Sequence, residues 1–394
     1  MLKNLSIDEV VPGMFVNQVT EQSRQLRVRS SGLVKSNDAI KKLKEMGILR
    51  VEVDYGKSKL PEGHTTSDVP SEVPSSPVLS KTEALQMANT LYEEAITIQS
   101  TFLATLNNQA PADLTHTLEL SESIIQAVFD NQDAMSCLTM IKNTDPYLLE
   151  HSINCAILMA MFTHHLGYDR DTIDDACIGA LLMDVGMTHI PSELREKIAT
   201  LNASDWSIIQ SHVDIGIELV ESSEQISDLT LAIIAQHHER EDGSGYPKGL
   251  SSAKISPFAK MAAIVDSYDA MISSRSHQSS ITPTAALKRL TKDETLDQTL
   301  VAQFVQCVGV HPVGSLVKLK SGRLGIVSKQ HPEQLASPVV ITFYSINGRH
   351  FNEIKRIDLA VVDDEIEAGV KPDEFDINLP RFFREIFIKQ MSAN

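Results

Sequence analysis

Apolar residues recur at helical spacing through the middle of the chain, from residue 81 to about residue 306. The pattern is interrupted at residues 143–146 and again around residues 186–203, so it predicts a bundle of several helices. Its first segment alternates steps of four and three, which is the spacing of a helix-packing seam. The residues of this seam are Ala84, Ala88, Leu91, Ala95, Ile98 and Phe102. The seam could pack inside the bundle or form the interface of a homodimer.

The chain on either side of this helical module, residues 81–306, follows a different pattern. Residues 1–56 combine two strand-like stretches with one helix-like stretch, which predicts a small α/β domain. Residues 57–80 are rich in Pro, Ser and Thr and lack apolar periodicity, as expected for a flexible linker. From residue 307 to residue 394 the pattern predicts a β-rich C-terminal extension, because short β-like pieces alternate with Gly, Ser and Pro turns. The whole is predicted to be an α+β multidomain chain.

The composition is that of a folded globular protein. Of the 394 residues, 42% are hydrophobic and 22% are charged, which argues against wholesale disorder and against fibrous repeats. Lys and Arg number 35 against 52 Asp and Glu, so the formal net charge is -17. Such a charge repels nucleic acid, and we expect no nucleic-acid partner. A ligand that carries phosphate would need a local positive pocket.

The cysteines and the apolar runs indicate the compartment. Four cysteines lie far apart with no Cys-x-x-Cys pair, which argues against a disulfide framework and against a cysteine-based zinc site. The N-terminus lacks the features of a signal peptide. The longest apolar run, residues 155–162, is short of the roughly 18 residues that a membrane helix needs. We therefore expect a cytoplasmic protein without a membrane span.

Histidines and aspartates on different predicted helices are the candidates for chemistry. They are His151, Asp184, His212, His237, His238 and Asp266. A helix bundle can direct one ligand inward from each helix, and imidazole together with carboxylate suits Mn, Fe, Zn or Ni in a site that activates water. Any one histidine on an apolar helix face is more often a structural residue. The set as a whole predicts a metal centre.

The adjacent pair His237–His238 is a stronger signal, because the loop REDGSGYPKGL begins two residues after it. Three glycines and a proline in this loop favour a fixed irregular backbone beside the paired imidazoles. The alternative is an ordinary turn between two helices. The segment HHEREDGSGYP resembles the signature of the HD-GYP proteins, which are bacterial hydrolases of cyclic dinucleotides.

The resemblance extends over nearly the whole chain. Its signature region, residues 147–278, includes DPYLLEHSINCA, ALLMDVGMTHIP, SHVDIGIEL and IVDSYDAM followed by Arg275. Residues 1–56 resemble the small domain often placed before HD-GYP modules. The resemblance implies an HD-type helical bundle in a cytoplasmic signalling protein of bacteria.

The family also implies roles for individual residues. His151, Asp184 and Asp266 would bind one metal ion, and Asp184 would bridge to a second ion bound by His212, His237 and His238. Asp184 and Arg275 would be the catalytic residues, with Arg275 on a substrate phosphate. The other residues expected to bind the cyclic dinucleotide are Gly243, Gly245, Tyr246 and Pro247. The metal would be a divalent transition ion, Fe or Mn, with one or two ions bound.

Three residues depart from the family's pattern. Met183 occupies the position of the histidine in the His-Asp doublet, and methionine sulfur is a poor ligand for Mn or Fe(II). Met187 replaces a lysine, and Gln278 replaces a basic residue. Asp269, which would pair with that lysine, is expected to lack its partner. Asymmetric metal occupancy and impaired catalysis follow, because each lost cation removes stabilisation of developing phosphoryl charge.

Two functions remain open at this point. One is a metal-dependent phosphodiesterase that opens cyclic di-GMP or a related cyclic dinucleotide, with a degenerate site and weak activity. The other is a catalytically silent module that binds a cyclic dinucleotide or signalling protein partners. The three substitutions favour the second function, and the six retained ligands favour the first.

Overall fold

The structure of the protein is a computed structural model. It describes residues 2–7, 10–22, 32–45, 48–54, 57–58, 81–107, 113–140, 147–195, 200–221, 223, 225–273 and 280–375. Most of the predicted linker, residues 59–80, lies outside the described residues. The chain divides into two compact units, Met1–Val78 and Leu79–Asn394. The boundaries predicted from the sequence stay predictions.

The first unit is a four-stranded antiparallel sheet with one helix. Its elements are β1 (Leu2–Ser6), β2 (Phe15–Gln22), β3 (Gly32–Leu33), α1 (Asn37–Glu45) and β4 (Ile48–Asp54), and the strand order is β1-β4-β2-β3. Val51 and Val53 alternate along β4 with polar residues and are completely buried. Ile40 of α1 lies in the same hydrophobic core. This unit is the small α/β domain that the sequence predicts.

The second unit begins with a helical bundle. Its helices are α2 (Lys81–Asn107), α3 (Thr115–Asp130), α4 (Gln132–Thr139), α5 (Tyr147–His165), α6 (Arg170–Leu182), α7 (Ser192–Arg195), α8 (Ala203–Gln210), α9 (His212–Val220), α10 (Asp228–Gln236), α11 (Pro257–Ile272), α12 (Pro283–Leu290) and α13 (Gln298–Val308). Helix α5 is central, because residues 153–162 are apolar on nearly every side and all buried. It packs against α6 and α11, the helices that precede or carry the candidate aspartates.

Two helices of the bundle begin at a residue whose side chain caps the helix N-terminus. Asp169 accepts a hydrogen bond from the backbone N–H of Thr172 at the start of α6, and Ser227 accepts one from Thr230 at the start of α10. On α2, the seam predicted from the sequence packs internally. Ala88, Ala95 and Phe102 are buried, and Leu91 and Ile98 contact the same core. The side chain of Ala84 lies outside the described part of the structure.

The second unit ends in a five-stranded antiparallel sheet. Its strands are β5 (Leu316–Leu319), β6 (Arg323–Lys329), β7 (Val339–Ser345), β8 (His350–Asp358) and β9 (Ile366–Gly369), in the order β8-β7-β6-β5-β9. The predicted β-like pieces at 314–322, 323–329 and 337–348 are confirmed. Buried residues of this sheet and of the helices form one hydrophobic core.

The predicted fold class is confirmed: a mainly helical bundle, a small α/β domain before it, and β structure after it. Across the described residues, none of the helices has both the length and the apolar character needed to cross a membrane.

Candidate metal centre

Asp184 lies at the junction where α6 gives way to a 3-10 turn, Val185–His189. Gly186 brings this turn close to α9. A Cβ atom at Gly186 would overlap the carbonyl oxygen of His212 and lie 2.7 Å from the backbone nitrogen of Gly216. A glycine is therefore required at this position, and it places the Asp184 carboxylate beside the imidazole of His212.

The first group of candidate ligands is His151, Asp184 and Asp266. The Nε2 atom of His151 lies 3.1 Å from Oδ1 of Asp266 and 3.4 Å from Oδ2 of Asp184. Helices α5 and α11 carry His151 and Asp266, and their packing brings these two side chains together across 115 positions of sequence.

The second group is Asp184, His212, His237 and His238. Nε2 of His212 lies 3.5 Å from Oδ1 of Asp184, and Nε2 of His237 lies 3.9 Å from the same oxygen. The Nδ1 atoms of both rings face backbone carbonyls, His212 that of Ile209 at 2.7 Å and His237 that of Ile234 at 3.0 Å. A carbonyl only accepts, so each Nδ1 carries the proton and each Nε2 presents its lone pair.

The two groups share Asp184, whose Oδ2 atom faces His151 and whose Oδ1 atom faces His212 and His237. A carboxylate with one oxygen toward each group can bridge two metal ions. Donor atoms bound to one ion at about 2.0–2.2 Å lie roughly 3.0–3.5 Å apart. In the first group, the two distances from Nε2 of His151 to the aspartate oxygens already have this size, and all donor atoms of each group lie within 4.8 Å of one another.

Two orphaned nitrogen atoms test whether the site fits a metal. In the described part of the chain, the buried Nε2 atoms of His212 and His237 have no hydrogen-bond partner. Leaving a buried polar atom unsatisfied costs about 1–3 kcal/mol, so such atoms call for a partner that hydrogen bonds within the protein do not supply. A divalent ion between these atoms and Asp184 would be that partner. The donor set and its protonation both fit a transition metal.

The electrostatics favour ionised Asp184 and Asp266 and neutral His237 and His238. Burial raises the pKa of Asp184, but the hydrogen bond from His151 and the nearby imidazoles outweigh burial and hold the pKa below its usual range. The same balance, with His151 as the main partner, lowers the pKa of Asp266. Burial lowers the pKa of His237 and lowers that of His238 further, since His237 adds repulsion there. These are the protonation states in which the residues act as metal ligands.

The loop after the paired histidines covers the second group. The ring of Tyr246 stacks on the imidazole of His238, with centroids 4.5 Å apart, and its backbone N–H donates to the carbonyl of His238. Gly245 has to be glycine, because a Cβ atom there would overlap that same carbonyl oxygen. Gly243 adopts a φ of 77°, which also favours glycine. Pro247 follows Tyr246 through a cis peptide bond.

The side chain of Glu239 holds the backbone of this loop in place. Its carboxylate accepts hydrogen bonds from the backbone N–H groups of Lys248 and Leu250, both at 2.8 Å. Only 2% of Glu239 is exposed. Sequence reasoning did not assign Glu239 a role, although its position directly after the histidine pair was a usable signal.

Two protein-family models and several known proteins match parts of the chain. The HD domain family matches residues 135–300, and a domain of unknown function, DUF3391, matches residues 2–117. A cyclic di-GMP phosphodiesterase of Pseudomonas aeruginosa is 29% identical over 360 residues, which cover 89% of this chain and 87% of that protein. Residues 135–300 are thus similar to HD domains, and most of the chain is similar to this phosphodiesterase.

Further relatives match parts of the chain. A 3'3'-cGAMP-specific phosphodiesterase of Vibrio cholerae is 31% identical over 154 residues, 39% of this chain and 28% of that protein. A solved structure of an HDG"Y"P protein from Bdellovibrio bacteriovorus shares 16% identity over 77% of this chain and 98% of that chain, with a TM-score of 0.44.

The departures from the HD-GYP pattern can be placed only in part. Met183 is completely buried and belongs to the main hydrophobic core, and Met187 is partly buried on the 3-10 turn. Arg275 and Gln278 lie outside the described residues. The predicted roles of all site residues, including metal binding, stay predictions.

Asp269 has partners other than the lysine that Met187 replaces. Its Oδ2 atom lies 2.8 Å from Nδ1 of His151 and accepts a hydrogen bond from the hydroxyl of Ser273 at 3.2 Å. The sequence does place Asp269 one helical turn after Asp266 on α11, but it could not show that the partner lies on α5.

Proposed function

We propose that this chain is a metal-dependent phosphodiesterase that hydrolyses a cyclic dinucleotide, with cyclic di-GMP as the expected substrate and with weak activity. The observation that carries the proposal is the pair of buried, unpartnered Nε2 atoms of His212 and His237 facing Asp184. The names of the relatives in Pseudomonas aeruginosa and Vibrio cholerae support the substrate class.

In this proposal the two ligand groups hold one or two ions, Fe or Mn. Divalent ions at such a site act as Lewis acids on the phosphodiester and on the attacking water. Asp184 would hold both ions through its two oxygens, and the backbone carbonyls of Ile209 and Ile234 would keep the rings of His212 and His237 in the ligating tautomer.

The loop of Gly243, Gly245, Tyr246 and Pro247 would enclose the nucleotide. The ring of Tyr246 covers His238 and gives the site a flat aromatic wall. Hydrolysis forms one bond from the water oxygen to phosphorus and breaks one bond from phosphorus to a ribose oxygen. One proton of the water ends on the released ribose oxygen as a hydroxyl, and the cyclic dinucleotide becomes linear. Arg275 is proposed to bind the phosphate with two parallel hydrogen bonds.

Weak activity is proposed because the site lacks groups that the family uses. Met183 contributes an uncharged side chain to the core where a ligand is expected. Met187 and Gln278 remove two cations from the phosphate side, and losing one positioned electrostatic donor costs about 10²–10³ in rate in comparable sites.

The alternative is a silent module that binds a cyclic dinucleotide or a signalling partner. The complete burial of Met183 favours it, because a side chain so packed is part of the core. This module would retain the Tyr246 wall and the loop.

One experiment separates the two proposals. The protein is purified anaerobically, loaded with Fe(II) or Mn(II), and analysed for bound ions and for linear product from cyclic di-GMP. The phosphodiesterase predicts metal-dependent product that Asp184→Asn abolishes, while His165→Ala, at an exposed histidine, leaves it unchanged. Nucleotide binding without product supports the silent module, and a protein that binds neither metal nor nucleotide contradicts both.

A further inference from the structure

His151 is held on both sides by carboxylates. Its Nε2 atom faces Asp266 and Asp184, while its Nδ1 atom lies 2.8 Å from Oδ2 of Asp269. Asp269 is completely buried, and His151 is 2% exposed. The contact with Asp269, at 2.8 Å, is shorter than the contacts of Nε2 with Asp266 at 3.1 Å and with Asp184 at 3.4 Å, and it holds the ring from the side opposite to them.

We infer that Asp269 is a positioning residue, which orients His151 so that its Nε2 lone pair faces the first metal position. An ionised carboxylate only accepts hydrogen bonds, so Nδ1 of His151 must carry the proton in that contact. When it carries a proton, Nε2 of His151 donates to Asp266 and Asp184. A bound ion would take the place of that proton, and Nε2 would then present its lone pair to the ion. The inference rests on the proposed function in one respect, namely that the first ligand group binds a metal.

Helix α11 supplies both a candidate metal ligand, Asp266, and the partner of another ligand, Asp269. Asp266 and Asp269 are three residues apart, so both lie on the same helix face, where they meet His151 of α5 from its two sides. Ser273, one turn further on, donates to Oδ2 of Asp269 at 3.2 Å. This second bond holds the Asp269 carboxylate in place.

Cys155 does not offer a substitute for Asp269. Its sulfur lies 3.7 Å from Nδ1 and 3.8 Å from Nε2 of His151, at nearly equal distances from both nitrogens, so it does not select one tautomer. Burial is the main cause that raises the pKa of the Cys155 thiol to about 12, and a neutral thiol is a weak acceptor.

The test compares two substitutions of Asp269 by their effect on Mn(II) binding in the full chain. Asp269→Asn retains an oxygen that can accept from Nδ1, whereas Asp269→Leu removes the acceptor at similar volume. Mn(II) affinity is measured by electron paramagnetic resonance of the free ion. His151→Ala and His237→Ala assign each binding event to one ligand group.

We expect Asp269→Leu to weaken Mn(II) binding by the His151 group about 10–100-fold, the usual effect of losing such a partner, and to leave the His237 group unchanged. Asp269→Asn should restore much of the affinity. Asp174→Asn is the matched control, because Asp174 is another buried carboxylate, which accepts a hydrogen bond from Ser121 near the start of α6 and belongs to neither ligand group. It should leave both binding events unchanged.

Several results would overturn the inference. Wild-type affinity in Asp269→Leu would do so, and so would an equal loss in Asp174→Asn, since that points to general destabilisation. Two ions bound in the parent together with unchanged Asp269 variants would refute this inference alone. A parent that binds one ion, at the His237 group, would show that His151 is not positioned for metal. A parent that binds no ion would refute the proposed function as well.

Discussion

Replacing Glu239 by glutamine tests whether the loop over the metal centre has to be held in place. The two oxygens of this buried carboxylate each accept one backbone hydrogen bond at 2.8 Å, from Lys248 and from Leu250. Glutamine has the same size but only one acceptor. The NH₂ group of the glutamine side chain would face one of the two backbone N–H groups. That hydrogen bond would be lost, and two hydrogen-bond donors would face each other.

The magnitude follows from these two bonds. A hydrogen bond to a charged group contributes about 1.5–3 kcal/mol, and a buried donor without a partner costs about 1–3 kcal/mol. Glu239→Gln should therefore destabilise the closed loop by roughly 3 kcal/mol or more. Because a loop can open while the helices stay folded, we expect most of this loss to appear as local opening and less of it as global unfolding.

Three measurements on the same protein check this expectation. Hydrogen exchange of the amides in residues 243–250 should accelerate, the affinity for cyclic di-GMP should fall at least about tenfold, and the melting temperature should fall by only a few degrees. The matched control is Asp205→Asn. Asp205 is also a buried carboxylate that accepts backbone bonds, but it caps α8.

The reasoning is refuted if Glu239→Gln retains wild-type exchange in the loop and wild-type nucleotide affinity while its melting temperature falls as in Asp205→Asn. In that case Glu239 would contribute only to general stability. The loop would then be fixed by other contacts, such as the bond between Tyr246 and the carbonyl of His238.

Three further predictions concern the metal centre itself. His237→Ala should abolish metal binding by the second ligand group and change binding by the first group little, because the second group loses a buried nitrogen that faces Asp184. Elemental analysis that shows two equally retained ions in the parent would contradict the asymmetry behind this prediction. Gly186→Ala should lower the melting temperature markedly and abolish metal binding, since its Cβ would overlap the His212 carbonyl; unchanged unfolding would show that the turn can shift. Met183→His with Met187→Lys should raise hydrolysis of cyclic di-GMP at least about tenfold, equivalent to ~1.4 kcal/mol of transition-state stabilisation; a folded double variant that binds metal and nucleotide but is no faster would place the cause of weak activity elsewhere.

Much of the fold could be predicted because the spacing of apolar residues along the chain indicates which side of each helix or strand is buried. Residues 153–162 of α5 are apolar on nearly all sides, which indicates a central helix, and they are all buried. Strands β1 and β3 were not predicted. Their residues carry no clear alternation, and their state depends on pairing with β4 and β2, which local sequence does not report.

The site was predictable to the extent that a resemblance supplies residue roles. The sequence pattern alone placed the six ligands on five predicted helices, with His237 and His238 on the same one, and left their grouping open. The structure brings the six residues into the two groups that share Asp184. It also pairs Asp269 with His151, 118 positions apart, which no periodicity could have indicated. Long-range hydrogen bonds of this kind follow from helix packing.

The chemistry of the two ligand groups bears directly on whether catalysis survives. The first group offers one imidazole and two carboxylates, while the second offers three imidazoles and shares one carboxylate. Oxygen-rich sites suit Mn, and imidazole-rich sites suit Fe or Zn. The two positions are therefore expected to differ in the metal that they prefer as well as in their affinity for it. Because Asp184 belongs to both groups, an ion bound by the second group would share the carboxylate with an ion bound by the first. Completing the first group then depends on His151 and Asp266, with no ligand from Met183. Loading the protein with Mn, Fe or both, and following product together with ion count, would reveal whether one ion suffices or whether turnover appears only when the first group is filled.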